Sequence, residues 1–242
     1  MIRSTPLRGR QLLALMMLEV ACAAGGASGS SVVARPVHWD PDYLIPDFVQ
    51  VNKALPASLG ESMRATWVDG PVVVLDHGGQ SETRAVKSCE DLLNIRREIR
   101  AVKPPTRDPD LMALEATCGA LQRSLRLKPS KVSRIPTSAR RLAQLLDGVT
   151  WPSVSAEEGR LLQSLGTAKL EACASEIDCG FATATHVLSV AIAATGDWND
   201  DGTEDAILLI SYRRSESRSS ATIGVVLSVQ DPGQRGNILD KW

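Results

Sequence analysis

Near the C-terminus of this 242-residue chain, Asp197, Asn199, Asp201, Thr203 and Asp205 stand at every second position, with Gly202 among them. Numbered from Asp197, they fall at positions 1, 3, 5, 7 and 9 of an acidic loop, and the glycine falls at position 6. Calcium is a hard cation that takes about six to eight oxygen ligands. The spacing offers it side-chain oxygens from Asp197, Asn199, Asp201 and Asp205, and a backbone carbonyl from Thr203. A glycine at position 6 permits the sharp turn that brings such ligands together. The plainer alternative is a solvated turn, because Asp, Asn and Gly are common turn residues. Four matching oxygens, the glycine and the apolar run behind them favour the ion, and calcium is the cofactor this pattern predicts.

Residues suited to catalysis are scarcer. The histidines are His38, His77 and His186. Asp76, His77, Gly78 and Gly79 form the most suggestive group, since a His-Gly-Gly stretch can present oxyanion donors. No G-x-S-x-G, S-x-x-K, H-E-x-x-H or phosphate-binding loop accompanies it. A hydrolase using Asp76 and His77 is therefore an alternative without a nucleophile, and the same residues read more simply as the turn that ends a strand.

The segments around the acidic loop decide what kind of ion site it could be. In a helix-loop-helix site a bidentate Glu occupies position 12; here that position is Leu208, within the apolar run 206–210. Upstream, residues 186–193 are also apolar and β-rich. Two short apolar runs flanking a turn predict strand-loop-strand. Residues 196–210 accordingly resemble the calcium-loop core of FG-GAP/VCBS-type repeats. The resemblance implies Asp197, Asn199, Asp201 and Asp205 as side-chain ligands and Thr203 as a carbonyl ligand. It covers about 15 residues in a single copy, whereas a propeller needs several blades, so it lends the loop and not the fold.

The N-terminus places Arg3, Arg8 and Arg10 before the apolar run 12–18 and then small residues, which is the pattern of a secretory signal. Cleavage after Ala23 would release a soluble protein. Lipidation at Cys22 would anchor it instead, although Glu19 stands where a lipobox has an aliphatic residue. Export, to the periplasm or anchored at the outer membrane, follows from either reading. With Cys22 set aside, four cysteines remain for an oxidising compartment: Cys89, Cys118, Cys173 and Cys179. The expected pairs are Cys89–Cys118 and Cys173–Cys179, although four cysteines allow three connectivities. C-x-x-C spacing is absent, so the cysteines do not read as a zinc site.

These features divide the chain into a signal peptide (1–23), a flexible tether (24–35), a β-rich segment (36–83), a helical segment (84–147) and a second β-rich segment carrying the loop (148–242). The fold class expected is α+β. A hairpin is expected around Asp69 and Gly70, between Trp67 and Val72. Ser88 and Asp91 have capping-box spacing and open a helix with Leu92, Leu93, Ile95 and Ile99 on one face. A second helix starts at Asp108, a third runs from Ser138 to Asp147, and a short one follows Ser155. If the first helix runs to about residue 101 and packs antiparallel to the second, Cys89 and Cys118 sit nearly level. Residues 84–141 carry a net charge of +8, against −11 for the rest of the chain from Ala24 on. Such helices could meet an anionic membrane surface or simply be solvated faces. Nucleic acid is not an expected partner, because aromatics are not interleaved with the basic residues. The functional expectation is an exported envelope or cell-surface protein, stabilised by calcium and acting by binding or scaffolding.

Overall fold

A computed structural model describes residues 34–40, 44, 58–105, 108–136, 139–146, 169–175, 178–183, 186–216, 220–230 and 236–242. The signal peptide, Cys22, nearly all of the tether and the helix expected after Ser155 lie outside these residues. Along the described chain, β1 (His38–Trp39) and helix α1 (Leu59–Arg64) precede β2 (Val72–His77) and β3 (Gln80–Ala85). Helix α2 (Cys89–Ile95) is followed by β4 (Ile99–Lys103), α3 (Asp108–Ser124) and α4 (Ala139–Leu146). The remainder is β5 (Lys169–Ser175), β6 (Asp178–Ala182), β7 (His186–Gly196), β8 (Asp205–Arg214), β9 (Ser220–Ser228) and β10 (Asn237–Lys241). The fold class is α+β, as the sequence predicts.

Strands β10-β9-β8-β7-β6-β5 form one antiparallel sheet in that order, and β1 pairs with the end of β7 beyond β6. The central strands read as unbroken apolar runs because both faces of the sheet are covered. On one face, Leu114, Cys118 and Leu121 of α3 share a core with Ala194, Ile207 and Val226. On the other, Leu142 and Leu146 of α4 share a second core with Leu188, Leu208 and Val225. A bulge between Ile192 and Ala194 shifts the β7 register against β8. It places both Ala193 and Ala194 on the α3 side.

The smaller sheet, β3-β2-β4, contributes Val73, Leu75 and Val102 to the α3-side core. Gly78 and Gly79 both have positive φ, 63° and 98°, and close a two-residue turn between His77 and Gln80. That is the backbone a tight hairpin needs. The hairpin expected at Asp69 and Gly70 does not form. Trp67 instead donates its N–H to Lys87 O (2.7 Å), and Gly70 serves close approach, since a Cβ there would lie 1.8 Å from Val86 O.

Residues 84–147 also depart from an all-helical segment. Ser88 does cap α2, accepting the Asp91 N–H, but the helix ends at Ile95. Ile99 lies on β4, which completes the small sheet against β2. The β-branched residues Ile99 and Val102 suit that pairing better than a longer helix. The Cys89–Cys118 disulfide is present. Its geometry differs from two long level helices, because Cys89 is the first residue of a seven-residue helix beside the middle of α3. Helix α1 was not expected within 36–83, although its signal is there: Ser58 accepts the N–H of Glu61, three residues on.

Trp242 is held in a slot between α3 and β9. Its indole N–H donates to Ala116 O (2.7 Å), and the Arg123 guanidinium stacks 3.9 Å above the ring while pairing with Asp240. Gly119 and Gly224 make the room, since a Cβ would approach the ring to 2.2 Å and 2.0 Å respectively. Gly224→Ala should cost about 1–3 kcal/mol through overpacking. Thermal unfolding of the single and double variants checks this: in a Trp242→Ala background, most of that added cost should vanish.

Candidate metal centre

The acidic loop joins the two innermost strands, β7 and β8, and Gly196 pairs with Asp205 at its base. Asp200 and Gly202 turn the chain with positive φ, 64° and 82°. Asp tolerates that backbone better than most side chains do. The five expected residues are therefore brought to one tight loop, as the strand-loop-strand reading requires.

Their hydrogen bonds divide them into two groups. Asp197 Oδ2 accepts the Gly202 N–H (2.7 Å), and Asp205 Oδ2 accepts the Trp198 N–H (2.9 Å), so both carboxylates reach across the loop. Both are buried, with relative exposures of 5% for Asp197 and 0% for Asp205. The other oxygen of each, Asp197 Oδ1 and Asp205 Oδ1, is buried without a hydrogen-bond partner. Asn199 and Asp201 are exposed and bond to one another, Asn199 Nδ2 donating to Asp201 Oδ2 (3.0 Å). Asp201 Oδ1 accepts the Thr203 N–H (2.7 Å). Among the described residues, no three acidic, His or Cys side chains converge closely enough to hold a metal as they stand.

The donor chemistry nonetheless fits an oxygen-seeking cation. A buried carboxylate oxygen without a partner costs about 1–3 kcal/mol or more, and two of them occur at loop positions 1 and 9. Asp197 and Asp205 are the buried side chains that would hold such an ion, with the Thr203 carbonyl as the ligand the spacing implies. Asn199 and Asp201 could join them by exchanging their mutual bond for the ion.

Burial raises the pKa of Asp205; Ser228 and the Trp198 N–H oppose the rise, and the charges of Asp201 and Asp197 add to it. Ser228 Oγ lies near enough to act on the carboxylate, but neither it nor Asp205 Oδ1 completes a hydrogen bond. Asp201 goes the other way. Burial would raise it, but the Thr203 N–H, the Asn199 and Thr203 side chains and Arg134 together lower it.

A raised carboxyl pKa in the fold means that the native state keeps a proton the unfolded chain has already released. Its contribution to stability therefore falls as pH rises from the unfolded value of about 3.9 through the higher folded value, and the penalty is complete above that. Asp205→Asn should remove this penalty, and its new amide can use the unpartnered Ser228 Oγ. In chelator at neutral pH, the variant should melt no lower than the parent. A lower melting temperature would show that the charged carboxylate is needed even without an ion.

Charges from distant parts of the sequence surround the loop. Lys128 Nζ pairs with Asp200 (2.7 Å), the Arg126 guanidinium lies 5.8 Å from the Trp198 ring, and Arg35 lies 3.8 Å from Glu204. Glu204 is buried and accepts from the Thr195 hydroxyl (2.9 Å). Spacing around the loop gave no signal for Arg35, Lys128 or Ser228, because only the fold brings them there, while Glu204 lies within the loop between two expected ligand positions. Part of the positive charge of 84–141 is met by the protein's own acids: Arg84 by Asp91, Arg96 by Glu115, Arg100 by Asp76 and Arg123 by Asp240. Glu115 is itself pushed up by burial, against the lowering effect of Arg96.

The remaining candidates are dispersed. Asp76 accepts the Gly79 N–H (2.9 Å) across the hairpin turn and pairs with Arg100 of the neighbouring β4 (3.3 Å); the side chain of His77 lies outside the described residues. His38 is exposed on β1, and His186 begins β7. Cys173 and Cys179 face one another in the β5–β6 backbone register, while their side chains are outside the described set. No described helix is long and apolar enough to cross a membrane. The chain matches no protein-family model, no curated protein and no solved structure.

Proposed function

We propose that residues 197–205 bind one calcium ion and that the protein is an exported, calcium-stabilised envelope or cell-surface component acting by binding or scaffolding. The observation that carries this reading is the pair of buried carboxylates, Asp197 and Asp205, each pinning the loop with one oxygen and leaving the other unpartnered. The FG-GAP-type spacing of the loop and the secretory pattern of the N-terminus support it. The ion's role is structural. It neutralises neighbouring carboxylates and ties the turn between the two central strands, leaving the surface free for a partner.

Isothermal calorimetry of the oxidised chain tests the reading. One calcium site is expected, with Kd on the order of 10⁻⁴–10⁻³ M as in extracellular modules. Magnesium should bind more weakly, since it demands near-octahedral geometry and dehydrates reluctantly. Heats no greater than dilution for both ions would sink it.

A further inference from the structure

The loop is also a hydrogen-bonding wall for two segments far away in sequence. Lys128 and Asp197 exchange both backbone hydrogen bonds (2.9 and 2.8 Å). The N–H groups of Lys131 and Val132 donate to Gly202 O (2.8 and 3.2 Å), and Val132 O accepts the Glu204 N–H (2.7 Å). The strap 128–132 is thus fixed at both ends of the loop. Its other side holds the entry of the chain into the fold: Arg35 and Ser130 exchange both backbone bonds (2.6 and 3.1 Å). Arg35 also reaches Glu204, and β1 pairs His38 with Thr195 and Trp39 with Ala194. The three segments close on Gly196, where a Cβ would lie 2.9 Å from Leu127 Cβ, 3.0 Å from Lys128 O and 3.3 Å from Val37 Cγ2.

We infer that the ion site is a calcium-dependent clasp for the entry segment 34–40, an inference that rests on the calcium reading of the same loop. Without the ion, the loop holds unpartnered buried oxygens at Asp197 and Asp205, which favours its local opening. Opening separates Asp197 and Gly202 from the strap, and with the strap goes the partner of Arg35. The loop, strap and entry segment therefore open as one cooperative unit. An ion that must leave before this unit opens suppresses the opening by about the factor 1 + [Ca²⁺]/Kd, on the order of a hundredfold at 100 times Kd. Residues 34–40 begin with the last two residues of the stretch that the sequence reads as tether (24–35). Calcium would thus set how firmly the body holds the chain at its attachment.

Amide hydrogen exchange of the oxidised chain, with calcium and with chelator, tests the clasp alongside calorimetry on the same samples. The expected result is that exchange at 34–40, 128–132 and 197–205 slows together, by about a hundredfold at 100 times Kd. The exposed edge strand β3 should not change. If calcium binds but protects 197–205 alone, the clasp is wrong and the ion site stands. Equal protection throughout the chain, β3 included, would also overturn the clasp, because it reports global stabilisation. Absence of binding removes the site and the clasp together.

Discussion

Calcium at 100 times Kd should raise the melting temperature of the oxidised chain by roughly 5–10 °C, and Asp201→Ala should lose the rise. The size follows from mass action: such an excess stabilises by about 2.7 kcal/mol, and a domain of this length gains roughly 2–4 °C per kcal/mol. Asp201 suits the test because it is exposed and its carboxylate bonds locally, to Thr203 and Asn199. The variant should therefore fold, and the comparison is made within each protein, calcium against chelator. An equal rise in parent and variant would remove Asp201 from the ligand set. No rise in either would leave the acidic loop a turn.

Removing the Cys89–Cys118 bond has an effect of similar size by a different route. The bond spans 29 residues, and the chain-entropy model gives about 3–4 kcal/mol for a loop of that length. Both cysteines are buried, and the bond ties α3 to the first residue of α2. The Cys89→Ala, Cys118→Ala double variant should melt roughly 6–16 °C lower, with the largest losses in α2 and the small sheet. An unchanged melting temperature would mean that packing around α3 already constrains the same residues.

The loop between the central strands was more legible in the sequence than its surroundings were. Oxygen donors at alternate positions with a glycine among them locate a loop whatever the fold, because its ligands are local. Both central strands were legible too, because fully buried strands read as continuous apolar runs. The small sheet was misread for a physical reason. Ile99 continues the apolar spacing of Leu92 and Ile95 and so reads as helix, yet it pairs as a strand with Leu75, 24 positions earlier. Tertiary pairing overrides local periodicity there. Gly70 misled in the same way: a glycine after an aspartate signals a turn, while the close approach of Val86 O is invisible until the fold is known. The disulfide was paired correctly from a helix length that the structure halves. The Arg35–Glu204 and Lys128–Asp200 pairs leave no mark at all in local spacing.

The position of the central strands along the chain bears on how the protein comes to be folded. β7, β8 and β9 lie in its last third, yet β1 pairs with β7 and both α3 and α4 bury apolar faces on these strands. An N-terminal portion emerging first during synthesis has no surface on which to complete its core. Pairings as distant as His38 with Thr195 carry a large loop-closure cost and form late. The nascent chain should therefore stay open until nearly all of it has been made, and an open chain is the form that the export proposed above would require.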